Sequence, residues 1–279
     1  MNILHISPYV PSVHASHAGG VCMGKELEAL RKKHNVFVLS FINDEKEEKL
    51  VEKEFKNDNK SFFVYSNTYT KGLNALAHLN KPIFFGIRSS RKFKRLLLNI
   101  VRENSIDVIH AEYTAMGQFV WIKKYFPNIR FNLVEHDVTK QSYDRYCKGS
   151  SGIKHVYQKW QSNLVNKNEE DYLKKCDQVF TLNYKDKNLL SKYYGIQNVE
   201  VITPYYGIDF DAVQNIHVEK EENSICFVGL MSRSENHEAA MRLIHIVQDL
   251  PNDLNVKLNI IGAYPNDELK SFESSRIHI

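Results

Sequence analysis

The segment Asn2-Ile-Leu-His-Ile-Ser7 decides the fold, because this short and almost wholly apolar run passes into a glycine-containing loop and then into a helical pattern. Near-continuous apolar strands are typical of a parallel sheet that is covered on both faces. The loop carries Gly19-Gly20, and the apolar spacing after it predicts a helix over residues 21–33. The chain therefore opens with the strand-loop-helix unit of an α/β protein.

The same alternation of apolar strands and amphipathic helices continues to about residue 204. It predicts strands over 35–40, 61–65, 106–110, 130–135, 178–182 and 199–202, and helices over 89–104, 116–125, 153–175 and 185–194. The highly charged run over 44–56 predicts a solvated helix rather than a site. Together these elements predict one complete Rossmann-like domain.

A second unit repeats this alternation nearer the C-terminus. Ser224-Ile-Cys-Phe-Val-Gly229 reads as a strand, a helix follows it, and residues 256–262 form the next strand. Because the chain ends soon afterwards, we expect the second sheet to be incomplete. The predicted fold class is α/β, with two Rossmann-like domains facing a cleft. The predicted divisions are an N-terminal domain over 1–204, a polar linker over 205–223 and a partial C-terminal domain over 224–279.

The composition indicates a globular protein of a reducing compartment. Of the 279 residues, 43% are hydrophobic and 25% are charged, which is ordinary for a folded domain. The four cysteines are far apart and form no Cys-x-x-Cys pair, which disfavours a zinc site or a disulfide framework. The sequence lacks a signal-peptide pattern at its start and any run of the roughly 20 apolar residues that span a bilayer. We therefore expect a cytoplasmic protein that meets a membrane only at its inner surface.

A basic cluster precedes an apolar run on one predicted helix. Its members are Arg88, Arg91, Lys92, Lys94 and Arg95. Cations beside an apolar face suit an anionic lipid surface, and an ordinary solvated helix face is the competing interpretation. The net charge of +4 is modest and no nucleic-acid motif accompanies the cluster, so we do not expect nucleic-acid binding.

Two sequence features mark a ligand site in the first domain. Gly19-Gly20 follows the first strand, at the sheet edge where parallel α/β proteins bind ligands, and glycine lets the backbone approach a ligand closely. His136-Asp137 closes the strand over 130–135 and places a polar pair at the same edge. A flexible turn and a histidine that only satisfies local backbone groups remain open as alternatives. A metal site is disfavoured, because no second histidine lies at ligand spacing around His136.

The second domain offers a phosphate site at the start of its helix. Gly229 ends the first strand of this domain, and Ser234 or Asn236 is expected to cap the helix that follows. A phosphate over this helix N-terminus would meet free N–H groups, with Arg233 close by to pair its charge. Gly262 ends the next strand at the same edge. The competing interpretation is an ordinary capped helix with a surface arginine.

Six segments, taken in order, form a more specific set. They are Asn2–Pro8 with Gly19-Gly20, Ile106–Glu112, Val134–Asp137, Lys175–Leu182, Val201–Asp209, and Ile225–Met231 with Asn236. Together they resemble the GT-B glycosyltransferases, and within them the retaining group that uses nucleotide sugars and is typified by glycosyltransferase family 4. The segment Val201–Asp209 is the most specific, because it is similar to the Asn-Gly-Val-Asp sequence at the family's hinge.

The resemblance implies that the first domain binds the acceptor and the second binds a nucleotide diphosphate sugar. It implies that His136 lies beside the transferring sugar as the catalytic residue. The residues expected to contact substrates are Gly19, Gly20, Asp137, Gly229, Arg233, Asn236 and Gly262. No metal or other cofactor is expected, because helix N-termini and basic side chains offset the charge of the diphosphate.

The chain departs from the family pattern at several positions. Leu230 and Glu235 or Asn236 stand where many members carry an arginine and a lysine that clamp the diphosphate, and Tyr206 replaces the usual asparagine of the hinge. The family's glutamate pair would lie beyond Ile279, so we expect the chain as given to bind the donor weakly.

The resemblance implies a transferase that moves a sugar from a nucleotide diphosphate sugar to a glycan or lipid-linked acceptor, with retention of configuration. Two alternatives stay open: an inactive fragment or binding module of such an enzyme, and a GT-B-type sugar-nucleotide epimerase. A nicotinamide-dependent dehydrogenase is disfavoured, because the Gly-x-Gly-x-x-Gly fingerprint is missing.

Overall fold

The structure is a computed structural model that describes residues 1–204 and 214–279. The chain divides into two compact units, Met1–Ile208 and Asp209–Ile279. The predicted linker over 205–223 lies partly outside the described residues, so the predicted domain boundaries stay a prediction. The α/β fold class is confirmed, because parallel sheets alternating with helices form both units.

The first unit is built on a parallel sheet. Its described strands are β1 (Asn2–Ser7), β2 (Asn35–Ile42), β3 (Ser61–Tyr65), β4 (Val108–Glu112), β5 (Arg130–Glu135), β6 (Gln178–Thr181) and β7 (Val199–Val201). Their order across the sheet is β3-β2-β1-β4-β5-β6-β7, and every neighbouring pair is parallel. The strand order changes direction between β1 and β4, and open parallel sheets bind ligands outside the carboxyl ends of such strands.

Helices pack on both faces of this sheet. They are α1 (Ala18–Arg31), α2 (Glu45–Glu54), α3 (Thr68–Ala77), α4 (Ile83–Gly86), α5 (Arg91–Asn104), α6 (Thr114–Gly117), α7 (Thr139–Lys148), α8 (Gly152–Lys175) and α9 (Tyr184–Tyr194), with a 3₁₀ helix at Val120–Lys124. On one face Phe93 of α5 stacks on Phe41 of β2, with ring centroids 4.5 Å apart. On the other face Leu27 of α1 joins a core with Ile3, the neighbour of Leu4 that points to the opposite side.

The second unit contains a smaller parallel sheet. It comprises β8 (Ser224–Val228), β9 (Lys257–Ile261) and β10 (Ile277–His278) in the order β10-β9-β8, with α10 (Ser234–Asp249), a 3₁₀ helix at Asn252–Leu254 and α11 (Asp267–Lys270). Its core brings Ile244 and Val247 of α10 against Leu258 of β9. Among the residues described in either unit, no helix combines the length and apolar character that crossing a bilayer requires.

Several predicted elements need correction. Helix α1 begins at Ala18, so Gly19 and Gly20 lie inside its first turn rather than in the preceding loop. Strand β4 reaches Glu112, two residues beyond the predicted end, which brings that carboxylate into the sheet. The sequence patterns also missed α3 and α7 in the first unit and β10 in the second. These elements are short or largely polar, so their apolar periodicity is weak.

Candidate active site at the carboxyl edge of the first sheet

Four side chains meet where β1, β4 and β5 approach the carboxyl edge of the sheet. Strands β1 and β4 are parallel neighbours, and their register pairs His5 with His110. The two imidazole rings stack with their centroids 5.7 Å apart. Glu112 ends β4, and His136 follows β5 directly. The site therefore straddles the point where the strand order changes direction. We call these four residues the Glu112 cluster.

Glu112 is the centre of this cluster and is fully buried. Its Oε2 lies 2.6 Å from His136 Nε2, and its Oε1 lies 3.2 Å from His110 Nε2. His5 Nε2 is 3.4 Å from the same Oε1, in a geometry that makes no hydrogen bond among the described residues. One carboxylate thus organises three imidazoles that come from three strands.

The charges of the cluster balance within it. Burial acts to lower the pKa of His110, but the Glu26 and Glu112 carboxylates outweigh burial and raise that pKa to about 10. Glu26 reaches the cluster from α1, where its Oε1 lies 2.9 Å from His110 Nε2. Burial acts to raise the pKa of Glu112, but its histidine neighbours hold that pKa well below its ordinary value. An imidazolium between two carboxylates is therefore the stable state near neutral pH.

The same residues have the chemistry of a cation site. Glu26, His110 and Glu112 bring one ligand-type atom each to within 4.8 Å of one another. Imidazole and carboxylate together suit zinc and other transition metals. The high pKa of His110 opposes this use, because a cation would have to displace the proton that makes His110 a partner of both carboxylates. The predicted absence of a metal stays a prediction.

Tyr113 lies against His136 and explains Gly19. Its φ of 68° lies in the left-handed region, and its ring stacks on His136 with centroids 3.8 Å apart and planes 5° apart. A Cβ added to Gly19 would overlap the Tyr113 hydroxyl, so a larger residue there would displace the Tyr113 ring. Gly20 donates its N–H to His17 Nδ1 at 3.0 Å and so takes part in the cap of α1. A donor contact for Gly19 and Gly20 stays a prediction.

Glu135 and Glu169 are two further buried carboxylates. Glu135 directly follows Val134, which is the register partner of Glu112 in the sheet. Glu135 ends β5, and its Oε2 accepts a hydrogen bond from the Thr114 hydroxyl, whereas its Oε1 is buried with no partner among the described residues. Burial and the nearby Glu169 raise the pKa of Glu135 well above its ordinary value. The neutral, protonated form of Glu135 is therefore favoured in the folded protein.

Glu169 of α8 holds the start of α7. Its oxygens accept from the backbone N–H of Thr139 at 2.8 Å and of Lys140 at 3.0 Å, and from the Tyr194 hydroxyl at 2.6 Å. Burial raises the pKa of Glu169 to about 7, although these hydrogen bonds act in the opposite direction. The segment that carries His136 and the exposed Asp137 is thus anchored on its C-terminal side by a carboxylate.

Sequence reasoning placed His136 at this edge but missed its partners. His5, Glu26, His110, Glu112 and the Glu135–Glu169 pair were not singled out as functional. A usable signal existed, because polar residues at the ends of apolar strands converge when those strands are parallel neighbours. What the pattern lacked was the pairing of β1 with β4, which are about a hundred residues apart in the chain.

The predicted donor residues of the second unit lie at the carboxyl ends of β8 and β9. A Cβ on Gly262 would overlap the carbonyl oxygen of Gly229, so the two glycines let these loops touch. Asn236 donates from Nδ2 to the Leu230 carbonyl at 3.0 Å, and the N-cap position of α10 is Arg233. The prediction that Ser234 or Asn236 caps the helix is therefore wrong. Among the described residues, no side chain caps α10.

One member of the predicted basic surface is buried. Arg88 precedes α5 rather than belonging to it, and only 5% of it is exposed. Its guanidinium donates to the Phe84 carbonyl at 3.1 Å and the Tyr9 hydroxyl at 3.2 Å, and it lies 4.4 Å from the centre of the Phe84 ring. Arg88 is therefore too buried to contact a membrane. The predicted basic surface is reduced to its other four members, Arg91, Lys92, Lys94 and Arg95.

Solved structures identify the class of fold. Sucrose-phosphate synthase from Thermosynechococcus elongatus superposes with a TM-score of 0.60 at 13% identity, covering 99% of this chain and 69% of that one. Phytolacca americana UGT2, solved with UDP-2-fluoro-glucose and pterostilbene, gives 0.55 at 9% identity, covering 100% of this chain and 70% of that one. MurG of Acinetobacter baumannii superposes with a TM-score of 0.50 at 10% identity, covering 99% of this chain and 63% of that one. The fold is that of the GT-B glycosyltransferases.

The chain belongs to glycosyltransferase family 4, whose family model matches residues 23–212, well over half of its length. That match includes Glu112, His136 and the Glu135–Glu169 pair. No curated protein matches the sequence. The chain spans between 63% and 70% of the length of the three structures compared above.

Proposed function

We propose that the protein transfers a sugar, with retention, from a nucleotide diphosphate sugar to a glycan or lipid-linked acceptor in polysaccharide biosynthesis. The observation that carries this proposal is the hydrogen bond of 2.6 Å between His136 and Glu112, in a family 4 domain and at the ligand-binding edge of its sheet. Retaining transfer needs positioning and charge stabilisation more than covalent chemistry. A rigidly held imidazole at this edge suits that requirement.

The hydrogen bond to Glu112 determines which ring nitrogen of His136 carries the hydrogen atom. With Glu112 ionised, His136 donates its Nε2–H to the carboxylate, and in the neutral ring Nδ1 then carries the lone pair. Stacking on Tyr113 fixes the plane of the ring. We infer that His136 orients a hydroxyl of the transferring sugar and that Asp137, exposed beside it, contacts the substrate.

The second unit is proposed to bind the nucleotide diphosphate. Support comes from α10, because the N–H groups of its first turn lack a side-chain cap among the described residues and such groups bind phosphate. Arg233 is exposed at this end, where it lies 3.7 Å from Glu235, and it can turn to a diphosphate. Phytolacca americana UGT2, solved with a UDP-sugar, shares the fold and adds to this support.

A transfer assay tests the proposal. The full chain is incubated with a panel of nucleotide sugars and short glycan or lipid-linked acceptors, and release of nucleoside diphosphate is measured. We expect His136→Asn to lower kcat by about 10²-fold or more in a protein that still unfolds cooperatively. His34→Asn is the matched control, because His34 is half-buried just before β2, at the opposite edge of the sheet.

The other outcomes of this assay distinguish the transferase from a binding module and from an epimerase. If His136→Asn keeps kcat within about threefold of the wild type, the role of His136 is wrong. If no nucleotide sugar turns over but an acceptor raises the melting temperature, the protein is a binding module. Interconversion of sugar nucleotides without an acceptor would make it an epimerase.

A further inference from the structure

Helix α8 begins with an apolar face that points to solvent. Ile153, Val156, Tyr157 and Trp160 are 90%, 68%, 41% and 42% exposed. Their spacing of three, four and seven residues puts them within an arc of about 100° on the helix. Exposed apolar residues are unremarkable singly, but a contiguous stripe of this kind marks a docking surface.

This stripe is distinct from the face that holds α8 in the fold. The helix packs against the rest of the unit through buried residues that include Gln161, Val165 and Tyr172. At about 100° per residue, the centre of the exposed stripe lies roughly 110° around the helix from these residues. The stripe therefore faces a different direction from the side of α8 that packs in the fold.

The end of α7 extends the same surface. Tyr146 is 54% exposed, and its ring lies 5.9 Å from that of Tyr143. His155 of α8 hydrogen-bonds the Cys147 carbonyl at 3.0 Å, which ties the first turn of α8 to the last turn of α7. We call residues 145–160 the α7–α8 tip. The exposed apolar side chains of the tip therefore lie on two helices that a hydrogen bond joins.

The charge around the tip has one sign. From residue 145 to residue 168 the sequence contains no aspartate or glutamate and carries Arg145, Lys148, Lys154, Lys159 and Lys167. None of these cations makes an ion pair with any residue that the structure describes. Tyrosine and tryptophan favour the boundary between water and lipid, and lysine beside them favours anionic headgroups.

We propose that the α7–α8 tip docks on an anionic lipid bilayer, with Ile153, Val156 and Trp160 in the interface and the lysines at the headgroups. The unbalanced positive charge argues for lipid over a second copy of this chain, because two basic tips would repel each other. Helix α5 itself buries its apolar residues Phe93 and Leu97 in the core, although the exposed Leu73 of α3 lines a pocket with Arg91, Lys92 and Lys94. The proposal does not rest on sugar transfer.

Vesicle co-sedimentation of the full chain tests the proposal without any nucleotide sugar. We expect binding to vesicles rich in phosphatidylglycerol, much weaker binding to pure phosphatidylcholine, and weakening with added salt. The double variant Ile153→Ser/Val156→Ser should lower the partition coefficient about tenfold or more. Lys154→Glu/Lys159→Glu should do the same through charge.

Two controls separate this surface from others. Leu254→Ser removes an exposed apolar side chain in the second unit, and Lys92→Glu/Arg95→Glu reverses charge on α5; both should bind like the wild type. In a Trp121→Phe background Trp160 is the remaining tryptophan, and its fluorescence should shift to the blue with anionic vesicles. Absence of that shift, or equal losses in the tip and α5 variants, would overturn the proposal. So would a dimer that Ile153→Ser/Val156→Ser abolishes, since the face would then bind a second copy.

Discussion

Glu112 and Glu135 end neighbouring strands of one sheet, and both are fully buried, yet their protonation is opposite. Three imidazoles surround Glu112 and hold its pKa well below the ordinary value. Glu135 faces a threonine hydroxyl and a second carboxylate, and its pKa lies well above. Burial is common to both, so the neighbouring charges decide which carboxylate is ionised.

This difference assigns separate roles to the two sites. The ionised Glu112 can orient His136 through a hydrogen bond and offset the charge of His110. The protonated Glu135 behaves as a neutral hydrogen-bonding group beside Thr114, and Glu169 next to it fastens the start of α7. Three substitutions test whether the contrast is real, beginning with the largest expected effect.

Glu112→Gln should lower the free energy of unfolding by about 3 kcal/mol, because it leaves buried histidines without their central negative charge. Urea denaturation at neutral pH measures this change. Glu26→Gln is the matched control: it removes the other partner of His110, but Glu26 is partly exposed, so its loss should be smaller. A Glu112→Gln protein that is as stable as the wild type would contradict the ionised state of Glu112.

Glu169→Gln should lower the free energy of unfolding by about 1–2 kcal/mol. The glutamine keeps one acceptor oxygen, whereas Glu169 uses both oxygens for the two amides that begin α7 and for Tyr194. Hydrogen exchange should show faster opening at Thr139 and Lys140. Unchanged exchange at both residues would mean that other contacts hold the start of α7.

Glu135→Gln should change stability least, by about 0.5 kcal/mol or less at neutral pH, because glutamine resembles a protonated glutamate. Its clearer signature is in the pH dependence. The unfolded chain loses this proton near the ordinary value of 4.5, while the folded protein keeps it, so wild-type stability falls as pH rises above 4.5. The variant should show a shallower fall over that window, measured by denaturation at several pH values. A Glu135→Gln loss as large as that of Glu112→Gln would remove the contrast.

The Glu112 cluster acts on stability in a different window. The pKa of His110 is raised from 6.5 to about 10, so its contribution is complete below pH 6.5 and is lost as pH rises through about 10. The contribution of Glu112 is lost at the acidic end, as pH falls through its lowered pKa. Glu112→Gln should therefore flatten the decline between pH 6.5 and about 10.

The strands and long helices could be predicted from the sequence, because each is specified by residues close together in the chain. The predicted spans 61–65 and 130–135 coincide with β3 and β5, and 153–175 matches α8 within one residue. Apolar runs and helical periodicity are local properties, and they also indicated an α/β fold and a strand that begins at Ser224.

Only the tertiary structure decided which polar residues meet. His5, Glu26 and His110 converge on Glu112 because β1 pairs with β4 and α1 crosses beside them, which no local pattern encodes. Arg88 reads as one more helix cation, yet packing buries it against Tyr9 and Phe84. The start of α8 is the converse case, since its apolar spacing is typical of a core face and the fold leaves it exposed. Local energetics determine the elements, and long-range packing determines what each side chain can do.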